Sequence, residues 1–299
     1  MTTSEIALAS FEAALTGAVS TAAPSIVRVA RPRGGGSGIA WSTDLVVTSS
    51  FHTPDRTHVG VARADSAELD DRDGVVIGRD PGTDIAVVRV EGGLTPATFR
   101  EDGLAVGLPT LALGRPGRSV RASFRVLGVV GPALRTPSGG TVDRYLESDR
   151  LIPRGFAGGP LVSLDGRVLG MNTRTLFRGA DLAVPHATLR RVVDEIVAHG
   201  GVRRGYLGVG AYPIGLPAAL AAAFGQERAA LVASVEDGGA AASAGVLVGD
   251  ILVTLDGVAI GGPDELRDAL LDRAGKAVEV VIIRAGARHA VSVSVGTRS

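Results

Sequence analysis

The chain has 299 residues, of which 45% are hydrophobic, which is enough for two domains with buried cores. Lys and Arg total 31 and so do Asp and Glu, so the formal net charge of zero argues against partners such as nucleic acid or an anionic membrane surface. There is no cysteine, and no two of the five histidines lie three or four residues apart. We therefore expect no disulfide, no metal site and no cofactor.

The first predicted element is a short amphipathic helix over residues 3–18, because apolar residues recur at roughly helical spacing from Ile6 to Leu15. The segment has no basic start, and Glu5 and Glu12 interrupt its apolar run, so it does not fit a secretory signal. No stretch reaches the length that a transmembrane helix needs. These features predict a cytoplasmic protein.

A β-rich region follows, from Ile26 to about Met171. Short β-branched runs separated by Gly, Pro and Asp clusters recur about every ten residues, which is typical of an antiparallel sandwich or barrel. Residues 162–169 form a predicted hairpin, because their central Asp-Gly pair accepts the positive φ angles of a tight turn. An amphipathic helix is predicted over 186–198, ending at Gly-Gly.

The remaining residues predict a second, smaller unit. Three β-rich segments and an amphipathic helix over 263–273, within about 95 residues, indicate an α+β domain. The last two strands form a hairpin through Ala285 and Gly286. The predicted organisation is an N-terminal helix (1–20), a barrel domain (21–199), a linker (200–205) and the α+β domain (206–299).

Several spaced motifs indicate a family. VVTSSFH stands at 46–52, DPGTDIA at 80–86 and GFAGGPL at 155–161, with GSG at 36–38 upstream and GMNT at 170–173 downstream. In combination these motifs resemble the HtrA branch of trypsin-like serine proteases. The resemblance implies a mainly β chymotrypsin-like fold, with two six-stranded β-barrels followed by an α+β PDZ domain.

The resemblance also implies roles for site residues. Acyl transfer by serine needs a nucleophilic oxygen, a base, an orienting carboxylate and backbone N–H groups that stabilise the oxyanion. Asp84 matches the carboxylate, and Gly155 and Ala157 match the two oxyanion-hole donors. The nucleophile position is also Ala157, and alanine has no heteroatom with which to form an acyl-enzyme.

The base position is ambiguous. In the family pattern the histidine stands three residues after a strand threonine, which from Thr48 leads to Phe51, with His52 one residue later. A shift of one residue turns a side chain to the other face of a strand. Either a local insertion brings His52 to the base position, or Phe51 occupies it; the second alternative is favoured.

The C-terminal unit resembles a PDZ domain. Residues Tyr206, Leu207, Gly208 and Val209 match the loop whose N–H groups receive a peptide carboxylate, and 243–257 match a second family stretch. PDZ domains bind peptides by strand addition beside a helix, here the one that carries Leu266. The implied partners are unfolded polypeptides or protein C-termini, and the family likeness also allows a homotrimer.

Two hypotheses follow. The first is a pseudoprotease that binds peptides or acts as a scaffold in protein quality control. The second is a serine endopeptidase of the HtrA class whose nucleophile was replaced by alanine in this chain. The shifted histidine and Phe51 favour the first, because a deliberate knock-out needs only the change at Ala157.

Overall fold

The computed structural model describes residues 2–31, 34–51, 53–62, 69–177, 179–271 and 273–298. The chain divides into two compact units, Met1–Val202 and Arg203–Ser299.

Unit 1 begins with helix α1, Thr3–Ala22, followed by a 3-10 turn at Ala23–Ser25. A capping box starts the helix: the Glu5 N–H donates to the Thr2 hydroxyl, and the Thr2 N–H donates to the Glu5 carboxylate. Of the residues of α1, only Ala18 and Ala22 are buried. The helix therefore runs well past the predicted end at residue 18, and its first half is exposed.

The stretch Thr3–Ser25 is long and apolar enough to cross a membrane, by length and composition, and 11% of its most apolar window is buried. The expectation that no stretch reaches this length was therefore wrong. The two acidic residues, Glu5 and Glu12, lie in the first half, and the small and apolar residues that follow extend the run.

The first barrel closes through pairing of its first and fourth strands, in the order β1-β2-β3-β6-β5-β4. Its interior is a cluster of small β-branched side chains, most of them valine, which suits a small closed barrel. The strands are β1 Ile26–Arg31, β2 Gly34–Ala40, β3 Leu45–Ser49, β4 Arg56–Ala62, β5 Leu69–Asp80 and β6 Ile85–Val90.

The second barrel closes in the order β11-β14-β13-β12-β7-β8, and a separate two-stranded sheet pairs β9 with β10. The predicted hairpin at Asp165-Gly166 connects β12 to β13. The strands are β7 Pro109–Gly114, β8 Arg121–Gly131, β9 Leu134–Arg135, β10 Thr141–Val142, β11 Tyr145–Ser148, β12 Pro160–Ser163, β13 Val168–Phe177 and β14 Ala180–Pro185.

Helix α2, His186–His199, completes unit 1 and ends where Gly200 adopts a left-handed conformation. Its buried stripe, from Leu189 to Ile196, joins one apolar cluster that also contains Ile39 and Met171, from the first and second barrels. This shared core fixes the two barrels and α2 against one another within unit 1.

Unit 2 is built on a sheet in the order β16-β17-β18-β20-β21, with β19 paired to β18 and a separate pair of β15 and β22. Its strands are β15 Arg204–Tyr206, β16 Val209–Gly215, β17 Arg228–Val235, β18 Ile251–Leu255, β19 Val258–Ala259, β20 Ala277–Arg284, β21 Ala287–Ser294 and β22 Gly296–Arg298. Its helices are α3 Ala218–Phe224, α4 Ala240–Ser243 and α5 Pro263–Leu270.

The predicted fold class is confirmed: the chain is mainly β, with two closed six-stranded barrels followed by a small α+β unit. The predicted second hairpin joins β20 to β21. Helix α5 is shorter than its predicted range of 263–273, because the apolar stripe reaches the core only through Leu270.

Candidate active site and peptide groove

The predicted orienting carboxylate belongs to Asp84, which ends the turn between β5 and β6. Its side chain is 2% exposed, and its φ of 58° lies in the left-handed region. Aspartate tolerates this conformation better than most residues, and such backbone conformations cluster at functional sites. The turn is held by Asp80, whose carboxylate accepts from the Gly82 N–H and the Thr83 hydroxyl.

Four donors surround the Asp84 carboxylate. The Ser49 hydroxyl lies 2.9 Å from both oxygens, and Oδ1 also accepts from the Ser50 hydroxyl at 3.0 Å and the Phe51 N–H at 3.1 Å. The Thr173 hydroxyl donates to Oδ2 at 2.5 Å. Four donors correspond to the roughly four lone-pair sites of a carboxylate, so neighbours from the end of β3 and from β13 satisfy this buried charge.

The loop 155–159 carries the predicted nucleophile position, and Ser37 of β2 holds it in place. The Ser37 hydroxyl donates to the Gly155 carbonyl at 2.6 Å, and the backbone N–H of Ser37 donates to the Ala157 carbonyl at 3.4 Å. The same hydroxyl accepts from the Arg115 N–H at 2.8 Å. Ser37 is fully buried, so these bonds fix the loop against the first barrel.

Gly158 explains how closely the loop approaches the first barrel. Its φ is 88°, and an added Cβ would lie 2.3 Å from the Ser37 carbonyl oxygen and 2.5 Å from Thr48 Oγ1. It would also lie 2.9 Å from the backbone nitrogen of Ser49, the residue whose hydroxyl binds Asp84. Only glycine fits this position, and the close contact brings the loop next to the Asp84 network.

The structure brings together most of the predicted catalytic positions. Through the contacts just described, Asp84 and Phe51 lie at the end of β3, and Gly155 and Ala157 lie against Ser37 in the middle of β2. The Phe51 backbone N–H binds Asp84 although the residue as a whole is 53% exposed, and Ala157 is half-buried. His52, the other candidate base, lies outside the described residues.

Sequence reasoning assigned no role to three hydroxyl residues of this site: Ser37, Ser49 and Thr173. All three stand inside motifs that indicated the family, GSG, VVTSSFH and GMNT. Their partners are 118, 35 and 89 positions away in sequence. The available signal was a set of hydroxyl residues in otherwise apolar strands, which predicts buried hydrogen bonds but not their partners.

Two buried guanidinium groups brace the segments around the loop. Arg125 donates to the carbonyls of Arg150 and Leu151, just before the loop, and Arg115 donates to the carbonyls of Ala23, Ile26 and Arg118. Burial lowers the pKa of both side chains, and for Arg125 the nearby Asp149 opposes this effect.

A cavity of about 200 Å³ opens elsewhere in unit 1, beside the start of α2. None of the predicted site residues lines it. Its His186 stacks on Phe99 with ring centroids 4.2 Å apart, and Nδ1 lies 2.6 Å from a Glu101 carboxylate oxygen. Burial lowers the pKa of His186 and outweighs the opposing effect of Glu101.

Within the described part of the chain, no cluster of three or more His, Cys, Asp or Glu residues could hold a metal ion.

In unit 2 the predicted peptide-binding loop lies between β15 and β16. Gly208 has a φ of 78°, its carbonyl accepts from the Glu236 N–H, and the Leu207 carbonyl accepts from the Ala241 N–H. Leu207 and Leu266 are buried in the apolar core of the unit, and the partly buried Val209 packs against this core. Among the described strands, β16 pairs only with β17, so its other edge faces outward beside α5.

Comparisons with known proteins agree with these features. Residues 36–171 match the family model described as trypsin-like peptidase domain, and residues 231–284 match a PDZ domain model. A protein named probable periplasmic serine endoprotease DegP-like, from Brucella suis biovar 1 (strain 1330), is 32% identical over 249 residues, covering 79% of this chain and 47% of that protein. A protein of the same name from Pseudomonas fulva (strain 12-X) is 34% identical over 278 residues, covering 88% of this chain and 56% of that protein. The chain spans about half the length of these curated relatives.

Solved structures match over nearly the whole chain. HtrA-type protease AlgW with tripeptide has a TM-score of 0.70 at 26% identity, covering 95% of this chain and 97% of that one. The serine endoprotease from Yersinia pestis has a TM-score of 0.74 at 24% identity, covering 95% and 98%. The second match, at its lower identity, concerns the fold alone.

The comparisons correct one prediction. The matched relatives are named as periplasmic proteins, and α1 is an exposed apolar helix at the start of the sequence. The prediction of a cytoplasmic protein was therefore wrong. It depended on reading Glu5 and Glu12 as interruptions of the apolar run, whereas the run continues beyond them to Ser25.

Proposed function

The chain pairs a trypsin-like serine protease domain of the HtrA/DegP type with a C-terminal PDZ domain, and we propose that it is a pseudoprotease that binds peptides. In this proposal unit 1 cannot cleave a peptide bond as the sequence stands. Unit 2 binds protein C-termini or unfolded segments.

The observation that carries the proposal is the identity of residue 157. The contacts of Ser37 and Gly158 hold the loop 155–159 beside the Asp84 network, where the family pattern has its nucleophile. At this position the chain has Ala157, whose methyl group can neither be deprotonated nor attack a carbonyl. An acyl-enzyme cannot form there.

The surroundings of Asp84 support the same conclusion. A catalytic aspartate must accept a hydrogen bond from the imidazole that it orients. Here Ser49, Ser50, Thr173 and the Phe51 N–H already supply four donors to the carboxylate. The hydroxyl of Ser50 competes for an acceptor site that an orienting aspartate would offer to a base.

Peptide binding by unit 2 is supported by its backbone. Strand β16 offers an outward edge for strand addition, next to the loop 206–209 and to α5. The buried Leu207 and Leu266 make this region apolar, which favours ligands with an apolar terminal residue.

The test is to offer the full chain unfolded casein and a fluorophosphonate probe. We expect no peptide release and no covalent labelling, because loss of the triad serine alone lowers turnover by about a million-fold in well-studied enzymes. Covalent labelling within residues 155–161 would contradict the pseudoprotease proposal.

The second candidate is an HtrA-class endopeptidase that carries alanine in place of its nucleophile. The buried Asp84 and the tightly packed Gly158 favour it, since both would serve a working site. Recovery of activity on restoring one hydroxyl at position 157 would distinguish it from the first candidate.

A further inference from the structure

Strand β16, the edge on which the proposed function has a peptide bind, contains a proline at its middle. Pro213 pairs with Ala230 of β17 and is followed by Ile214 and Gly215 before the strand ends. Proline has no backbone N–H, so it is tolerated in a strand where its nitrogen faces away from the neighbouring strand. A ligand can therefore bind only those N–H and C=O groups of β16 that point away from β17. Which residues present them depends on how the strand is oriented.

Hydrogen bonds at both ends of β16 settle this orientation. The Gly208 carbonyl accepts from the Glu236 N–H at 2.8 Å, and the Leu216 N–H donates to the Glu227 carbonyl at 2.8 Å. Glu227 and Glu236 flank β17, so residues 208 and 216 both direct their backbone groups toward that strand.

Backbone direction alternates along a strand, so even-numbered residues between these two ends also face β17. The one irregularity in the pairing lies between Gly210 and Ala211 and places its extra residue in β17, which leaves the alternation of β16 intact. Val209, Ala211, Pro213 and Gly215 therefore present their backbone groups to the free edge.

These residues offer a ligand an uneven set of groups. Ala211 presents both an N–H and a C=O, whereas Pro213 presents a C=O only. A ligand strand antiparallel to β16, with its carboxylate at the loop 206–209, has its last residue opposite Val209. The residue two before it then lies opposite Ala211, and the residue four before it opposite Pro213.

The helix side of the groove narrows at the same place. Gly262, which precedes α5, lies so close that an added Cβ would be 3.3 Å from Cβ of Pro213. That separation is closer than ordinary van der Waals contact between side chains. Toward the loop, by contrast, Val209 and Ala211 are only partly buried against the apolar cluster that contains Leu266.

We infer that the groove of unit 2 binds no more than the last four residues of a ligand, and that Pro213 sets this limit. The inference rests on the proposed binding of C-termini and adds to it the length of chain that is recognised. Residues farther from the ligand's carboxylate find no donor at Pro213 and little room beside Gly262, so they add no affinity.

The test is a nested series of fluorescein-labelled peptides of three, four, six and eight residues, made of alanine and serine and ending in valine with a free carboxylate. Binding to the full chain is followed by fluorescence anisotropy. In the unmodified chain we expect Kd to change by less than about twofold between four and eight residues, because Pro213 offers no N–H and its ring, which stands in place of that hydrogen, keeps a ligand strand from its carbonyl.

The substitution Pro213→Ala supplies the missing N–H and removes the ring atoms that take its place at the free edge, while the Cβ near Gly262 stays. We expect the six- and eight-residue peptides to bind about threefold to tenfold more tightly, which corresponds to one or two added hydrogen bonds. The tripeptide should bind unchanged. The matched control is Pro217→Ala, which lies before α3 and outside β16, and which should leave every Kd unchanged.

The outcomes separate the two proposals. Affinity that keeps rising with length in the unmodified chain, or equal Kd values for Pro213→Ala and the unmodified chain at every length, would overturn the inference and leave C-terminus binding intact. Failure of a folded full chain to bind any peptide of the series would overturn the proposed binding and this inference with it. If Pro213→Ala does not fold, the length series in the unmodified chain decides alone.

Discussion

The two candidate sites of this molecule depend on different parts of the chain. The site in unit 1 needs one particular side-chain atom, an oxygen at position 157, and there the sequence has Ala157. The groove in unit 2 needs backbone N–H and C=O groups, which every residue except proline supplies in full. There the sequence has Pro213 at the point where the groove narrows.

A single substitution therefore has different consequences at the two sites. Removing a nucleophilic oxygen abolishes a reaction, because no neighbouring atom can replace it. Removing one N–H from a strand edge shortens the ladder and leaves the bonds closer to the loop in place. We therefore expect substitutions at the first site to abolish or restore activity, and substitutions at the second site to change peptide affinity gradually.

The largest difference between possible outcomes concerns the first site, where the variant Ala157→Ser separates the two hypotheses. The new hydroxyl lies beside the loop backbone held by Ser37, so the variant asks whether a base is present. We expect casein hydrolysis to stay near background, because an unactivated hydroxyl is a poor nucleophile. Full recovery, on the scale of about a million-fold, would make the endopeptidase hypothesis correct.

A double variant sharpens this test. Ala157→Ser combined with Phe51→His places an imidazole on the residue whose N–H already binds Asp84, and it should gain activity where the single variant does not. Adding Ser50→Ala should raise activity further, since it frees an acceptor site on Asp84 Oδ1 for the imidazole. No gain in either combination would argue that Phe51 does not occupy the base position.

The sequence predicted the fold well because the signals for it are local. Runs of valine, the Asp165-Gly166 turn and the stripe of α2 each lie within a few residues, and each appears in the structure. The surroundings of Asp84 were not predictable, because Thr173 binds it across 89 positions. The orientation of Pro213 likewise depends on which face of β16 pairs with β17, and the sequence does not specify this.

The next effect in size concerns the stability of unit 2 and is expected for Asp250→Asn. The Asp250 side chain is 2% exposed, binds the Arg284 guanidinium through both carboxylate oxygens and accepts from the Leu247 N–H. Losing this charge should cost about 2–3 kcal/mol of unfolding free energy, the range for hydrogen bonds to a charged group. The Arg284 side chain is 36% exposed, so solvent screens the charge left behind and the cost stays below that of a fully buried pair. Hydrogen exchange of β18 amides measures it. The exposed Asp237→Asn is the matched control, and Trp41 fluorescence reports whether unit 1 stays folded.

The same carboxylate gives unit 2 an acid dependence. Burial alone would raise the pKa of Asp250, but hydrogen bonds from Arg284 and from the Leu247 N–H bring it below its ordinary value. A lowered folded-state pKa adds stability above the unfolded value of about 3.9, and this stability is lost as the pH falls through the folded value. Asp250→Asn should remove that part of the acid sensitivity. An unchanged acid profile would show that other groups control it.

A smaller effect is expected from the ligand of unit 2. Amidating the terminal carboxylate of a peptide should weaken binding by about 2 kcal/mol, or about thirtyfold, because the N–H groups of residues 206–209 lose a charged acceptor. A library of free C-termini should select apolar terminal residues, given the buried Leu207 and Leu266. Equal Kd values for acid and amide would indicate recognition of internal segments instead.

The smallest effect is expected for Phe51→Ala, and it tests the distinction between side chain and backbone within the first site. The contact of Phe51 with Asp84 is made by its backbone N–H, which alanine keeps, and the residue is 53% exposed. We expect the unfolding free energy of unit 1 to change by less than about 1 kcal/mol, as for most surface substitutions. Thr173→Val, measured alongside by denaturation with Trp41 fluorescence, should cost about 2 kcal/mol, because it removes a buried hydroxyl that binds the carboxylate. If Phe51→Ala proved as costly as Thr173→Val, the ring would have to be packed inside the site, and the base position would then be filled by an aromatic side chain that excludes a histidine.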